Sequence, residues 1–470
     1  MSSNQVKISP ASFINPILQR NGKMGSDACE IMNAAIQAVD PYQCVTAQIS
    51  LSREKFKIGE KEFTLDDFQR MFVLGFGKAS VPMTKALIDL FGERIINAKV
   101  VTKDEGFQVD SGYQNTLEVL LGGHPIPTSA SIESTQIMLN GLPPLSEKDL
   151  VWVVVSGGGS ALFSEPIIGV SLDDLQQTTE MLLRSGADIQ EINTIRKHLD
   201  LVKGGRLALR LDPASVITLI LSDVIGDRLD MIASGPTVAD PTSYVDALNV
   251  IRKYQLIKKI PLSIMKNLEK GAEGKLPETM KPEDPRNARI EHHLVGNNIK
   301  AATAALCCAE ELGYQSLIMS SHLTGKTEDV AEFLGGVIQT EFKHQQPLKR
   351  PACLIFGGET TVEVKGNGLG GRNQDLALRM VSWLATCPQI LFISLATDGE
   401  DGPTDAAGAV VDQNVFKIAT EQLGMNVKSY IENNDSYNFF KRVDGLIRTG
   451  STGTNVNDLV IILLGGFRKF

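Results

Sequence analysis

Short runs of Val, Ile and Leu alternate along the chain with longer stretches of helical period. The apolar runs at 72–75, 98–102, 116–121, 150–155 and 216–222 have the length and β-branched content of buried strands. Between them, 79–91, 129–139, 172–185 and 191–210 repeat their apolar residues every three or four positions and predict helices. Such β/α alternation implies a mostly parallel sheet with helices on both faces. The strands are near-continuous apolar runs, as expected when both faces are covered.

The pattern breaks at 275–289 (KLPETMKPEDPRNAR), which holds three prolines, many charges and no apolar period. This reads as a linker or exposed excursion. The alternation then restarts, with strands expected at 292–295, 316–320, 352–356, 391–396 and 459–464 and helices at 299–312 and 327–340. Two α/β domains of unequal size follow, 1–287 and 288–470.

Composition narrows the functional classes. The formal charge is −9, from 46 basic and 55 acidic side chains, without the basic excess of a nucleic-acid-binding protein. No apolar run approaches the ~18 residues of a transmembrane helix. Six cysteines without a CxxC pair suggest neither a zinc site nor a disulfide framework. The first ten residues, MSSNQVKISP, lack the features of a signal or transit peptide. These features predict a protein of a reducing, cytoplasmic compartment that binds small molecules, with no nucleic-acid or membrane partner. A homo-oligomer is compatible with all of them.

The candidate chemistry lies in loops that follow strands, where open α/β sheets bind ligands. GFGKAS (75–80) places Lys78 in a glycine turn between a strand and a helix. Ser156, Gly157, Gly158, Gly159 and Ser160 follow the most apolar strand. Three successive glycines there suit close approach of backbone N–H groups to a phosphate. Asp223 follows another strand, where a carboxylate can hold Mg²⁺ or take a hydroxyl proton. Asn193, Arg196 and Lys203 fall on one face of the 191–210 helix and offer a cationic surface for an acidic substrate. In the second domain Glu359 follows a strand. The glycines at 366–371 lead into Arg372 and Asn373, and an arginine so placed can clamp a carboxylate or phosphate. Asp398 opens an acidic loop, DGEDGPTD (398–405), with four carboxylates within eight residues. That density suggests a cation site.

Several familiar motifs are excluded. Gly325-Lys326-Thr327 lacks the first glycine of a phosphate-binding P-loop, because position 320 is Ser. Gly75-x-Gly77-x-x-Ser80 lacks the third glycine of a dinucleotide fingerprint. No GxSxG elbow occurs.

Taken in order, GFGKAS (75–80), GGHPIPTSAS (122–131), VSGGGSALF (155–163), INTIRKHLDLVKGGRLA (192–208), LSDVIGDRLDMIASGPTVADPTSY (221–244), GGETTVEVKGNGLGGRNQDLAL (357–378), ATDGEDGPTDAAGA (396–409) and TGTNVNDL (452–459) resemble the glycerate 2-kinase family, whose C-terminal half is the MOFRL domain. The resemblance implies a larger Rossmann-like three-layer α/β/α domain and a smaller α/β domain with the active site in the cleft between them. It implies phosphorylation of D-glycerate to 2-phospho-D-glycerate with ATP and Mg²⁺, and Lys78 and Arg372 as the principal cations. In that scheme Ser156 to Ser160 cradle ATP phosphates. Asp223 or Asp398 holds Mg²⁺ or accepts the hydroxyl proton. Arg372 binds the glycerate carboxylate or a phosphate oxygen, and Asn193, Arg196, Glu359 and Asn373 contribute to binding. The alternatives are glycerate 3-kinase regiochemistry, an NAD(P)H-dependent hydroxypyruvate reductase, and a non-enzymatic sensor of sugar acids or nucleotides.

Overall fold

The most apolar run becomes the centre of a sheet. Asp149–Val155 is buried at all seven positions and pairs in parallel with Arg70–Phe76 on one side and Ser215–Leu221 on the other. A computed structural model describes residues 8–103 and 109–466. It divides the chain into two compact units, one of residues 41–295 and one of residues 1–40 with 296–470.

In the 41–295 unit the strands are β1 (Ile49–Leu51), β2 (Lys55–Ile58), β3 (Lys61–Thr64), β4 (Arg70–Phe76), β5 (Ile95–Thr102), β6 (Leu117–Leu121), β7 (Asp149–Val155), β8 (Ser215–Leu221) and β9 (Ile290–Gly296). The first three form a small antiparallel sheet that the apolar pattern did not predict. The main sheet runs β6-β5-β4-β7-β8-β9, with parallel pairing from β6 to β8. Strand order reverses between β4 and β7. That reversal is the topological switch point, and ligands of doubly wound sheets bind beyond the strand ends there. Phe72, Leu74, Val151, Val153, Val216 and Ile220 belong to one continuous core beneath it.

Two expectations are corrected in this unit. The 275–289 segment is no free linker. Met280 is 1% exposed, its amide donates to Gly204 O (3.0 Å), and its carbonyl accepts from Asp240 N (2.7 Å). β9 then completes the first sheet, so the units divide at 295/296 rather than 287/288. The single helix expected over 191–210 is two, Ile189–His198 and Arg206–Leu211. Gly204 and Gly205 between them take φ of 57° and 76°, which an α-helix cannot contain.

In the other unit β10 (Gln315–Lys326), β11 (Ala352–Thr361), β12 (Ile390–Ala396), β13 (Gly408–Asp412), β14 (Leu446–Ile447) and β15 (Asp458–Leu464) form a sheet of order β10-β11-β15-β12-β13-β14. Only β10 and β11 are parallel. The last strand inserts antiparallel between β11 and β12, so the alternation does not produce a parallel sheet here. An apolar run reports burial, not direction. Residues 8–40 join this unit through specific ties. Arg20 forks onto Asp412 (2.8 and 2.5 Å), Tyr314 Oη donates to Asp27 (2.8 Å), and Thr454 Oγ1 donates to Val39 O (2.6 Å).

Candidate active site

β4 and β7 are neighbours, so the turns that follow them are stitched together. The Lys78 amide donates to Gly157 O (2.9 Å), the Ala79 amide to Ser156 Oγ (3.0 Å), and the Ser156 amide to Phe76 O (3.2 Å). The turns approach so closely that a Cβ on Gly77 would lie 2.3 Å from Ser156 Oγ. Gly158 takes φ +82°, and a Cβ there would meet the His124 ring at 2.8 Å and Lys78 Cγ at 3.6 Å. Lys78 and His124 therefore flank the triglycine turn. The amides of Gly157 and Gly158 have no acceptor among the described residues. Phe76 stacks on Phe163 (4.2 Å between centroids, 5° between planes) and gives the turn an apolar floor.

Beside this turn opens a cavity of about 1000 Å³. That is room for a nucleotide and a small acid, at the upper end of ordinary ligand sites. Its lining brings together Ser156, Gly158, Gly159, Ser160, Asn193, Arg196, Lys203 and Asp223. Arg196 and Lys203 reach it across the helix break rather than along one helix. Lys203 is 3% exposed and donates to Phe163 O (2.9 Å) and Asp200 (2.8 Å). Asp200 also accepts from Ser164 Oγ (2.6 Å) and the Val202 amide (3.0 Å). Burial, and then Arg196 nearby, pull the Lys203 pKa below the ordinary lysine value, with Asp200 acting in the opposite sense. Arg196 differs. Among the described residues its side chain makes no hydrogen bond or ion pair, and burial lowers its pKa. An arginine side chain that makes no ion pair keeps its N–H donors open to an anionic ligand.

The other unit does not present its residues as expected. Arg372 is engaged at every nitrogen: Nε and Nη2 fork onto Asp458 (2.5 and 3.0 Å), and Nη1 meets Glu359 (2.7 Å). Burial would lower its pKa, but Asp458, Glu359 and Asp401 raise it on balance. Burial pushes the Asp458 carboxyl up to about 7, with Arg372 pulling the other way. Glu359 also accepts from Asn457 (2.8 Å). Asn373 is 2% exposed and is held between Ser394 Oγ (2.6 Å) and Asp401. In the glycine loop before Arg372 the amides of residues 365–369 all bond to Asn433, Asn434 or Asp435. The acidic loop also disperses. Asp398 Oδ1 accepts from the Glu400 amide (3.0 Å), Asp401 caps the helix Arg372–Leu384 through the Asn373 and Gln374 amides, and Asp405 bonds Tyr437 and Arg448. Among the described residues no group of three or more His, Cys, Asp or Glu is set to hold a metal. Asp401 and Asp405 are thus engaged with groups outside their own loop.

Comparison with known proteins fixes the family. A family model described as a domain of unknown function, DUF4147, matches residues 27–269, and the MOFRL family model matches 352–458. The D-glycerate 2-kinase of Thermotoga maritima is 41% identical, over 93% of this chain and 97% of its own. The glycerate 2-kinase of Pyrococcus horikoshii is 39% identical, over 92% and 96%. The chain belongs to the glycerate 2-kinase family. A crystal structure of glycerate kinase from Thermotoga maritima, 40% identical, matches with a TM-score of 0.81, over 93% of this chain and 98% of that one.

Beyond family membership in the glycerate 2-kinases, the structure places at this cavity residues that the sequence reading passed over. Ser234 is fully buried and bonds both Ser160 (2.8 Å) and Asn193 (3.2 Å). Its φ of 63°, after 50° at Ala233, places two consecutive non-glycine residues in the left-handed region. Such strain concentrates at functional sites. Nothing in the string IASG announces it. Asp200 and Ser164 were equally hidden, because their role depends on a helix break that apolar period alone does not show.

Proposed function

We propose that the cavity of the 41–295 unit holds D-glycerate and the phosphates of ATP, and that the protein transfers the γ-phosphoryl group to the C2 hydroxyl to give 2-phospho-D-glycerate. The observation that carries this reading is Arg196, whose guanidinium has no partner among the described residues and lies in the same cavity as the triglycine turn. Arg196 takes the glycerate carboxylate. The Gly157 and Gly158 amides take phosphate oxygens. Lys78, beside Gly158, stabilises charge on the transferred group. Phosphoryl transfer asks for this kind of positioning and charge stabilisation more than covalent catalysis.

Magnesium fits the same cavity. It is bound through one or two carboxylates plus substrate phosphates, and Asp223 stands at the end of β8 in the lining. Asp223 would hold the ion, which supplies charge neutralisation on the phosphate oxygens. With the carboxylate fixed by Arg196, the C2 hydroxyl lies at a set short distance from that anchor. The C3 hydroxyl sits on a rotating carbon. This geometry favours transfer at C2.

The test is incubation of the purified protein with ATP, Mg²⁺ and D-glycerate. ADP release should depend on glycerate, and enolase should consume the product without added phosphoglycerate mutase. No glycerate-dependent ADP would refute the activity, and a product needing the mutase would refute the regiochemistry.

A further inference from the structure

Ser160, Ser234 and Asn193 form a hydrogen-bond chain whose direction is determined by its buried end. The Asn193 oxygen accepts from Ser234 Oγ (3.2 Å), and the Asn193 amide nitrogen faces Met231 Sδ (3.9 Å). A thioether sulfur accepts but never donates, so the amide has its nitrogen on the sulfur side and its oxygen toward Ser234. The single proton of Ser234 is thereby committed to Asn193. Ser234 and Ser160 lie 2.8 Å apart, and only Ser160 has a proton left for that contact. Ser160 lines the cavity, and what it offers there is lone pairs alone.

We propose that Ser160 is a specificity-determining residue that accepts a hydrogen bond from the C2 hydroxyl of the substrate, so that the site selects 2-hydroxy acids over 2-oxo acids. This rests on glycerate occupying the cavity. An acceptor-only Ser160 repels phosphate oxygens, which are acceptors too, so its side chain serves the acid rather than ATP. Asn193 is one helical turn before Arg196. A carboxylate site and a hydroxyl acceptor are thus linked through one helix and one hydrogen-bond chain, matching an acid with a neighbouring hydroxyl. A ketone at C2 has no proton to give and leaves Ser160 facing another acceptor. Ser234 and Asn193 are positioning residues. The left-handed backbone at Ala233 and Ser234 holds the middle of the chain in place, with the Ala233 methyl against Gly159.

D-Lactate and pyruvate differ only at C2, a hydroxyl against a ketone, and neither needs to react. Their dissociation constants are measured by calorimetry on the full chain, beside D-glycerate turnover. Wild type should bind D-lactate at least about tenfold more tightly than pyruvate. Ser160→Ala should bring the two within about twofold, mainly by weakening D-lactate. Ser234→Ala frees the Ser160 proton and should tighten pyruvate. Should Ser234→Ala misfold, Asn193→Leu removes the same acceptor. A wild-type protein without preference, or a Ser160→Ala variant that keeps the tenfold gap with unchanged thermal stability, overturns the proposal. Absence of glycerate turnover in wild type would strike the kinase reading instead, and the lactate–pyruvate gap would still be measurable.

Discussion

At the scale of single residues, two cations of like charge stand in different surroundings. Lys78 and Arg372 look equivalent as sequence, each being a basic residue at a glycine loop before a helix. The structure separates them. Lys78 stands beside Gly158 of the triglycine turn, whereas Arg372 has a carboxylate at each end of its fork. Lys78→Met should fold normally and lose on the order of 10²–10³ in kcat, the usual cost of one electrostatic contact to a transition state. Circular dichroism and steady-state kinetics check this, and activity within threefold of wild type contradicts it. Lys78, Asn193, Arg196, Asp223 and the triglycine turn were legible because they follow strands or share a helix face, which sequence encodes. The engagement of Arg372 was not, because its partner Asp458 lies 86 residues away.

At the scale of elements, position was easier to read than direction or continuity. The strands were found where apolar runs lie, yet nothing in 459–464 shows that β15 would insert antiparallel. The helix break at Gly204 and Gly205 was hidden for a related reason, since an apolar period can run through a turn. The turn between β7 and the following helix gives the sharpest element-level test. Gly158→Ala places a side chain at φ +82°, which costs about 1–3 kcal/mol. It also drives a methyl into His124. Activity should fall far more than the thermal midpoint, and proportionate losses would contradict a phosphate-binding turn.

Asp458 at the start of β15 makes a pH prediction. Its carboxyl sits at about 7 in the fold, against about 3.9 for an unfolded aspartate. Between those values the folded state holds a proton that the unfolded state has released. Its contribution to stability therefore declines as pH rises from about 4 to about 7. Thermal midpoints of wild type and Asp458→Asn across that window should diverge, with wild type losing stability relative to the variant. Parallel curves would contradict the assignment.

At the scale of the whole molecule the chain is two α/β units whose limits do not follow sequence order. Residues 8–40 precede the first unit in sequence but pack into the second, through contacts such as Arg20 with Asp412 that span 392 residues. No local pattern could show this. Among the described residues no helix is long and apolar enough to cross a membrane. Substrate recognition is assigned to the 41–295 unit, where the switch point coincides with two amides and a guanidinium that have no partner among the described residues. The most direct measurement of that claim is the glycerate kinetics of Arg196→Ala, with the product followed by enolase. The account predicts that KM for D-glycerate rises on the order of tenfold to a hundredfold, as expected for loss of a charged hydrogen-bonding partner of about 1.5–3 kcal/mol, while KM for ATP changes little. An unchanged glycerate KM in folded Arg196→Ala would show that the carboxylate is held elsewhere and contradict the account.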